Sequence, residues 1–218
     1  MVLLLDIDGT LLSGHGVGRR AIAAVLERAG TAFDVSDVPF GGKTDPQIFG
    51  ELVEAMCDAG VAPPMSAEQL GEAYQAEMHR TLPTACVEAL PGAVELVRRL
   101  DGRVPLGLLT GNYRPMGYGK IGRIGLGARE LPFGAFGSDA ADRDALPAIA
   151  AERAAEHLGR DVAHSELVIV GDTPRDIQCA RAVGARCVAV ATGHYAADEL
   201  GDADLVLDSL EGFSLAAL

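Results

Sequence analysis

The sequence predicts an α/β fold, in which a parallel sheet with crossover helices carries an inserted helical segment. Short apolar runs that end in Gly, Thr or Asp alternate with Ala-, Glu- and Arg-rich stretches of helical pattern, as is typical of parallel strands buried on both faces. About a hundred residues separate the first two runs, far more than one crossover helix needs. The four runs are residues 2–5, 104–109, 167–170 and 187–190.

The long interval between the first two runs predicts a small helical domain. Amphipathic stretches follow one another there, and Gly41-Gly42 and Pro63-Pro64 separate some of them. The predicted helices are residues 18–29, 45–59, 66–82 and 91–100. We therefore expect an inserted domain at residues 14–88, joined by two connections to an α/β core formed by residues 1–13 and 89–218.

Composition and charge restrict the partners of such a fold. The chain has 218 residues, of which 49% are hydrophobic, and a formal net charge of -13. This predicts a globular protein whose field repels nucleic acids and anionic membranes. A site for an anionic small molecule would need a metal ion and local cations, and the only lysines are Lys43 and Lys120.

The four cysteines favour a reducing compartment. Cys57, Cys86, Cys179 and Cys187 form no CxxC pair and have no histidine at metal-ligand spacing, so the pattern predicts neither a zinc site nor disulfides. The first apolar run is too short for a signal sequence, and no run approaches membrane-spanning length. We expect a cytoplasmic protein, either a monomer or a homodimer.

Acidic side chains follow two of the predicted strands. Asp6 and Asp8 lie in the segment DIDGT after the first run, and Asp172 and Asp176 lie in GDTPRD after the third. Because parallel strands end at the same edge of a sheet, where open α/β folds bind ligands, all four acids should converge. Taken alone, Asp172 and Asp176 could instead cap a helix. Four neighbouring acids repel one another unless a cation neutralises them, so the cluster predicts a Mg²⁺ site.

The second run ends in the segment TGN at residues 110–112, at the same predicted edge. A hydroxyl and free turn amides there could hold phosphoryl oxygens, since both donate hydrogen bonds and neither adds charge. In isolation, Thr-Gly after a strand is more often a simple turn.

Together and in this order, DIDGT, TGN and GDTPRD resemble the motifs of the haloacid dehalogenase (HAD) superfamily. The resemblance covers essentially the whole chain, and the insertion is similar to the helical cap of the branch that includes phosphoglycolate phosphatases. It implies a Rossmannoid parallel-sheet core with an inserted α-helical cap. It also implies a Mg²⁺-dependent phosphatase that hydrolyses a small phosphorylated metabolite, such as phosphoglycolate or a sugar phosphate, through an aspartyl-phosphate.

The resemblance implies a role for each motif residue. Asp6 is expected to be the nucleophile, and Asp8 the general acid and then the general base. Asp6, Asp172 and the backbone carbonyl of Asp8 would bind Mg²⁺, and Asp176 would support this set or bind the ion directly. The residues implied for the transferred phosphoryl group are Thr110, Gly111 and Asn112.

One family feature is missing, a lysine that usually precedes the helix before the GDxxxD strand. The corresponding residues 137–147 contain no lysine. Arg143 is the natural substitute, because a guanidinium can bridge a phosphate and a carboxylate. Lys120, after the TGN segment, is the competing candidate. The alternative for either residue is a solvent-facing cation on a helix.

The segment FGGKTDP at residues 40–46 resembles the cap loop that this branch places over its active site. It combines two glycines with Lys43 and a predicted helix start at Thr44 or Asp45. Lys43 and Thr44 are therefore the candidate cap residues for substrate binding, with a solvated turn lysine as the alternative. His15, in the first connection, is a weaker candidate.

Other reactions of the same fold match the sequence less well. A dehalogenase would not need Asp8. A phosphonatase needs a cap lysine for a Schiff base, for which Lys43 is the only candidate. A sugar-phosphate mutase needs cap groups that we do not identify. A catalytically silent binding module is a further alternative, because the usual lysine is absent.

Overall fold

A computed structural model describes residues 1–217. Within these residues, six parallel strands form one sheet in the order β5-β4-β1-β6-β7-β8, and two short strands form an antiparallel ribbon, β2-β3. In chain order the strands are β1 (Val2–Leu5), β2 (Leu12–Ser13), β3 (Glu88–Ala89), β4 (Leu106–Thr110), β5 (Phe133–Phe136), β6 (Leu167–Gly171), β7 (Arg186–Val190) and β8 (Leu205–Leu207).

Seven α-helices accompany the strands within residues 1–217. In chain order they are α1 (Val17–Arg28), α2 (Asp45–Asp58), α3 (Ala67–Thr81), α4 (Ala93–Leu100), α5 (Arg114–Gly122), α6 (Leu146–Leu158) and α7 (Pro174–Val183). No helix among these residues combines the length and apolar character that crossing a bilayer requires.

The sheet has a hydrophobic layer on each face. Successive side chains of β1 point to opposite faces, so Leu3 and Leu5 pack in one layer with α4 and α5, whereas Val2 and Leu4 pack in the other with α6 and α7. All four side chains are fully buried. Helices cover both faces of a parallel sheet, which confirms the predicted α/β fold.

The insertion between β2 and β3 has a hydrophobic cluster of its own. Helices α1, α2 and α3 supply most of it, including Phe49, Leu52 and Met78, and Met116 of α5 joins it from the sheet side. The first two predicted insertion helices end within one residue of the observed ends. The β2-β3 ribbon lies at the point where both connections leave the sheet. The division of the chain into an inserted domain at residues 14–88 and a core stays a prediction.

Strands β5 and β8 are absent from the predicted set. Strand β5 contains Gly134 within a four-residue FGAF sequence, and β8 has only three half-buried residues, so neither shows a long apolar run. The predicted helix at 91–100 begins at Ala93 because Gly92, at φ 78°, forms a left-handed turn before it. These elements differ from prediction because turns and neighbouring strands, rather than periodicity, determine them.

Candidate active site

Three neighbouring strands bring the predicted motif residues to one edge of the sheet. Asp6 follows β1, Thr110 ends β4, and Asp172 follows β6, and these strands are adjacent in the order β4-β1-β6. The backbone amide of Asp6 still donates to the carbonyl of Val170, at 2.9 Å, so the sheet pairing extends to this residue. The position of Asp6 is therefore fixed by the core.

Asp6, Asp172 and Asp176 form a compact acidic cluster. One carboxylate oxygen of each lies within 4.8 Å of the others, and all three side chains are buried. The Thr10 hydroxyl donates a hydrogen bond to Asp172 Oδ1 at 3.1 Å. The structure therefore brings together three of the four residues predicted to bind the metal.

Two glycines allow the backbone to approach Asp172 closely. Gly9 has φ +82°, and a Cβ atom there would lie 2.2 Å from Asp172 Oδ2; a Cβ atom on Gly193 would lie 1.7 Å from the same oxygen. The Thr192 hydroxyl donates to the carbonyl of Gly9 at 2.6 Å and fixes one loop against the other. The glycine of DIDGT is thus required both by its backbone conformation and by the space beside Asp172.

Burial and mutual repulsion make this cluster unfavourable when all its members are ionised. Burial, with the charges of Asp176 and Asp6, raises the pKa of Asp172 to about 8. Burial also raises the pKa of Asp6 to about 6, against the opposing effect of Arg143. Mg²⁺ prefers hard oxygen ligands such as carboxylates, and a cation among these three acids would lower the cost of ionising them. These residues therefore fit a divalent metal.

Arg143 is buried between two carboxylates. Its Nη2 donates to Asp176 Oδ1 at 2.5 Å and lies 3.2 Å from Asp6 Oδ2. Burial alone would lower the pKa of Arg143, but Asp176 and Asp6 raise it above its ordinary value. The other Asp176 oxygen accepts from the amide and hydroxyl of Thr173, at 3.0 and 2.7 Å. Because both its oxygens are engaged, Asp176 fits the supporting role better than that of a direct ligand.

Lys120 is buried beside Asp8 rather than beside Asp6. Its Nζ lies 2.6 Å from Asp8 Oδ2 and 2.6 Å from Asn112 Oδ1. The Asn112 side-chain amide in turn donates to Asp8 Oδ2 at 2.8 Å and to Thr110 Oγ1 at 2.9 Å. The two candidate cations therefore serve different acids, since Arg143 contacts Asp6 and Lys120 contacts Asp8. The carboxylate of Asp8, with 45% of its side chain exposed, lies at the open side of the site.

The predicted cap loop is docked on the sheet edge. The amide of Asp45 donates to the carbonyl of Gly111 at 2.7 Å, and the amide of Tyr113 donates to Asp45 Oδ2 at 2.8 Å. The Thr44 hydroxyl donates to the carbonyl of Ala141 at 2.6 Å and accepts from the amide of Gln47 as the N-cap of α2. Thr44 thus has structural partners, and it is fully buried.

Lys43 is the cap loop's only cation, and its charge is already paired. Its Nζ donates to Glu51 Oε2, and Gln47 Nε2 donates to the other oxygen of the same carboxylate at 3.0 Å. Only 9% of the Lys43 side chain is exposed. The structure therefore places the Lys43 amine in an ion pair that the sequence does not predict, and its role in substrate binding stays a prediction.

Some residues at this site were not identified from the sequence. Thr10 and Thr173 each hold an acid of the cluster. The spacing of Thr173 and Asp176 matches a helix capping box, and this signal could have indicated the contact between these two residues. The sequence indicates Asp45 only as a possible helix start. Its partner, Tyr113, lies 68 positions away along the chain, so no local pattern indicates the contact.

Known proteins resemble this chain in sequence. The family model of haloacid dehalogenase-like hydrolases matches residues 1–184. The chain is 29% identical over 211 residues to validoxylamine A 7'-phosphate phosphatase from Streptomyces hygroscopicus subsp. limoneus, covering 96% of this chain and 93% of that protein. It is also 28% identical over 192 residues to SUPPRESSOR OF QUENCHING 1 from Arabidopsis thaliana, covering 87% of this chain but 18% of that longer protein.

Solved structures share the fold. CbbY from Rhodobacter sphaeroides, in complex with phosphate, superposes with a TM-score of 0.75 and 21% identity, covering 100% of this chain and 98% of that one. A predicted phosphoglycolate phosphatase from Haemophilus somnus has a TM-score of 0.72 and 16% identity, covering 96% and 94%. Likeness at these identities concerns the fold alone.

Proposed function

The chain belongs to the haloacid dehalogenase-like hydrolase family, and from that premise we propose that it is a Mg²⁺-dependent phosphomonoesterase of small phosphorylated metabolites. The observation that carries the proposal is the buried meeting of Asp6, Asp172 and Asp176 within 4.8 Å, next to the partly exposed carboxylate of Asp8. One carboxylate can then act as nucleophile while a second, open to the substrate, moves protons.

We assign the first chemical step to Asp6 and Asp8. A carboxylate oxygen of Asp6 attacks phosphorus, the bond to the leaving oxygen breaks, and Asp8 gives its proton to that oxygen. Bound by Asp6, Asp172 and the backbone carbonyl of Asp8, Mg²⁺ would offset the repulsion between the phosphoryl group and the carboxylates. The product of this step is an aspartyl-phosphate on Asp6 and a free alcohol.

The second step regenerates the enzyme. Asp8, now a carboxylate, takes a proton from water as the water oxygen attacks phosphorus, and the bond between phosphorus and Asp6 breaks to release inorganic phosphate. Lys120 and Asn112 hold Asp8 Oδ2 in a fixed position, which supports both proton transfers. Arg143 contacts Asp6, with its Nη2 3.2 Å from Asp6 Oδ2.

We further propose that residues 14–88 act as a cap that closes over this chemistry. The support is the docking of the loop at residues 40–45, through Thr44 and Asp45, on the carbonyls of Ala141 and Gly111. A closed cap excludes bulk water and positions the substrate. The phosphate ester of a sugar or a cyclic polyol is the preferred substrate class, since the curated relative matched over most of its length is named for a phosphate of validoxylamine A.

Phosphate release from a panel of esters tests the proposal. The panel contains sugar phosphates, cyclic polyol phosphates, phosphoglycolate, nucleotides and phosphonoacetaldehyde, each with Mg²⁺ and with EDTA. We expect metal-dependent release, highest from one sugar or polyol ester. Release that is unaffected by EDTA, or none from any ester, would contradict the proposed function. Lys43→Ala distinguishes the phosphatase from the phosphonatase alternative, because a phosphonatase requires the Lys43 amine for any turnover.

Gly111→Ala should impair cap closure without disturbing the core. The added Cβ would lie 2.0 Å from the carbonyl oxygen of Lys43 and 2.9 Å from Thr44 Cα, and backbone atoms cannot rotate away. We expect the loop to be displaced and kcat/KM to fall by about 10²-fold, the typical cost of a misplacement of about 1 Å at an active site.

Gly122→Ala is the matched control for Gly111→Ala. Apart from its chain neighbours and its own helix backbone, no heavy atom of residues 1–217 lies within 4 Å of the added Cβ, and alanine favours the helix. Activity should therefore be unchanged, and the measurements are phosphate-release kinetics and the rate of proteolysis at residues 40–45. Unchanged kinetics in Gly111→Ala would show that the docked loop is not needed for turnover.

Removing the metal should make stability depend on pH. The pKa of Asp172 in the folded protein, about 8, exceeds its ordinary value of about 3.9, so the folded state binds more protons than the unfolded state between these values. Without divalent metal, the free energy of unfolding should therefore fall as pH rises from about 4 to about 8. Because Mg²⁺ binds the ionised acids, its stabilising effect should increase over the same range. Thermal melts with Mg²⁺ and with EDTA measure this; an equal metal effect at both ends would contradict it.

A further inference from the structure

Three metal-ligating side chains meet at the base of the insertion, outside the acidic cluster. His15 lies in the connection between β2 and α1, Cys86 lies in the returning connection just before β3, and Glu88 is the first residue of β3. One ligand atom of each lies within 4.8 Å of the others, and all three residues are exposed. We propose that His15, Cys86 and Glu88 form a zinc-binding site that joins the two connections of the insertion.

The β2-β3 ribbon produces this meeting. Ser13 pairs with Glu88 in the antiparallel register, so continuing that register beyond the ribbon places position 15 opposite position 86. Cys86 and Glu88, two positions apart where the chain enters β3, can project to the same side. The pairing of the two connections, rather than the reach of long side chains, therefore brings the ligands together.

His15 has an uncommon backbone conformation. Its φ of 45° is the only positive value of a non-glycine residue within residues 1–217, and such a conformation costs roughly 1–2 kcal/mol for a residue with a Cβ atom. The side chain of Arg20 donates to the His15 carbonyl and holds this turn. The turn directs the imidazole toward Glu88, with Nε2 3.2 Å from Oε2.

The distances between ligand atoms are close to those around tetrahedral zinc. Usual zinc bond lengths give about 3.4 Å between a nitrogen and an oxygen ligand, and about 3.6 Å between a sulfur and an oxygen ligand. The observed separations are 3.2 Å from His15 Nε2 to Glu88 Oε2 and 3.8 Å from Cys86 Sγ to Glu88 Oε1. The two separations end on different oxygens of the Glu88 carboxylate, so zinc binding requires a rotation of that exposed side chain that brings one oxygen to both neighbours.

The chemistry of the three ligands selects zinc over the metal of the acidic cluster. A thiolate, an imidazole and a carboxylate together suit Zn²⁺, whereas Mg²⁺ prefers oxygen ligands alone. The fourth tetrahedral position is left for water. Zinc bound here would restrict the movement of the two connections relative to each other. The slower turnover expected from this restriction rests on the proposed function, but zinc binding itself does not.

Metal binding to the reduced, full-length protein tests the site. With Mg²⁺ in excess, equilibrium dialysis should give one zinc ion per chain, and Co²⁺ should give the absorption band of a cobalt–thiolate bond. We expect Cys86→Ser to abolish the band, and Cys86→Ser and His15→Ala each to raise the Kd for zinc at least tenfold. Cys57→Ser, which removes another exposed thiol, should change neither. A wild-type protein without the band, or a Kd unaffected by both substitutions, would overturn the proposal.

Inhibition by zinc tests the effect on the insertion separately. With Mg²⁺ and substrate saturating, zinc should slow turnover of the wild type and of Cys57→Ser, but not of Cys86→Ser. Equal inhibition of Cys86→Ser would mean that zinc acts elsewhere and would overturn this effect. A protein that binds zinc as expected but releases no phosphate from any ester would contradict the proposed function and leave the zinc site supported.

Discussion

Asp6→Asn is expected to reduce phosphate release by at least about 10⁴-fold, because an amide cannot form the bond to phosphorus on which both steps depend. This loss corresponds to roughly 5 kcal/mol of transition-state stabilisation. The fold should persist, since asparagine has the same shape and removes a charge that burial disfavours, as the raised pKa of Asp6 shows. In EDTA at neutral pH, the variant should therefore melt at the same temperature as the wild type or higher.

Asp8→Asn is the matched comparison for this result. It keeps the nucleophile and removes the group that moves protons, so we expect slow turnover with phosphate retained on Asp6. Mass spectrometry of acid-quenched protein should show the added mass of one phosphoryl group in Asp8→Asn and none in Asp6→Asn. Substantial phosphate release by Asp6→Asn, beyond any contaminating activity, would exclude Asp6 as the nucleophile.

Arg143→Ala is expected to cause the second largest effect, on stability as well as activity. It would leave Asp6 and Asp176 buried without their shared cation, and breaking a buried ion pair from one side costs about 3–5 kcal/mol. For a chain of this size that corresponds to a fall in Tm of roughly 10 °C. Differential scanning calorimetry at neutral pH measures it.

Arg143→Lys and Arg160→Ala are the controls for this change. Lysine restores the charge and removes the buried Nε donor, which has no hydrogen-bond partner among residues 1–217, so we expect much of the lost stability to return. Arg160 pairs with Glu166 at the surface, where exposed ion pairs contribute little, and Arg160→Ala should leave Tm almost unchanged. Equal Tm values for Arg143→Ala and Arg160→Ala would show that Arg143 does not stabilise the acidic cluster.

The parts of the fold that the sequence predicts are those with a continuous local pattern. Strand β1 agrees with the predicted run at both ends, and the capping box of Ser66 and Gln69 marks the start of α3. Strand β5 could not be predicted in this way, because its stability comes from pairing with β4 and not from its own glycine-containing sequence. Local propensity identifies an element only where it does not depend on a distant neighbour.

The same distinction applies to the candidate site. Asp6, Asp8 and Asp172 lie in compact motifs, so their positions at the sheet edge follow from strand order. The partners of the two cations do not follow from strand order, because Lys120 contacts Asp8 across 112 positions of the chain and Arg143 contacts Asp176 across 33. From the sequence alone, Arg143 and Lys120 are alternatives for one role, whereas in the fold each contacts a different acid of the site.

On the sheet side, the docking of the predicted cap loop uses main-chain atoms, including the amide of Tyr113, which donates to Asp45. The carbonyls of Gly111 and Ala141 accept its hydrogen bonds, and the amide of Asp45 donates one of them. A side-chain substitution leaves these main-chain groups in place unless it introduces proline, which has no N–H, so other substitutions at Lys43 or Glu51 should keep that attachment. If residues 14–88 act as the proposed cap, they can acquire a new specificity during evolution, or by engineering, while the geometry in which they dock on the sheet is inherited unchanged.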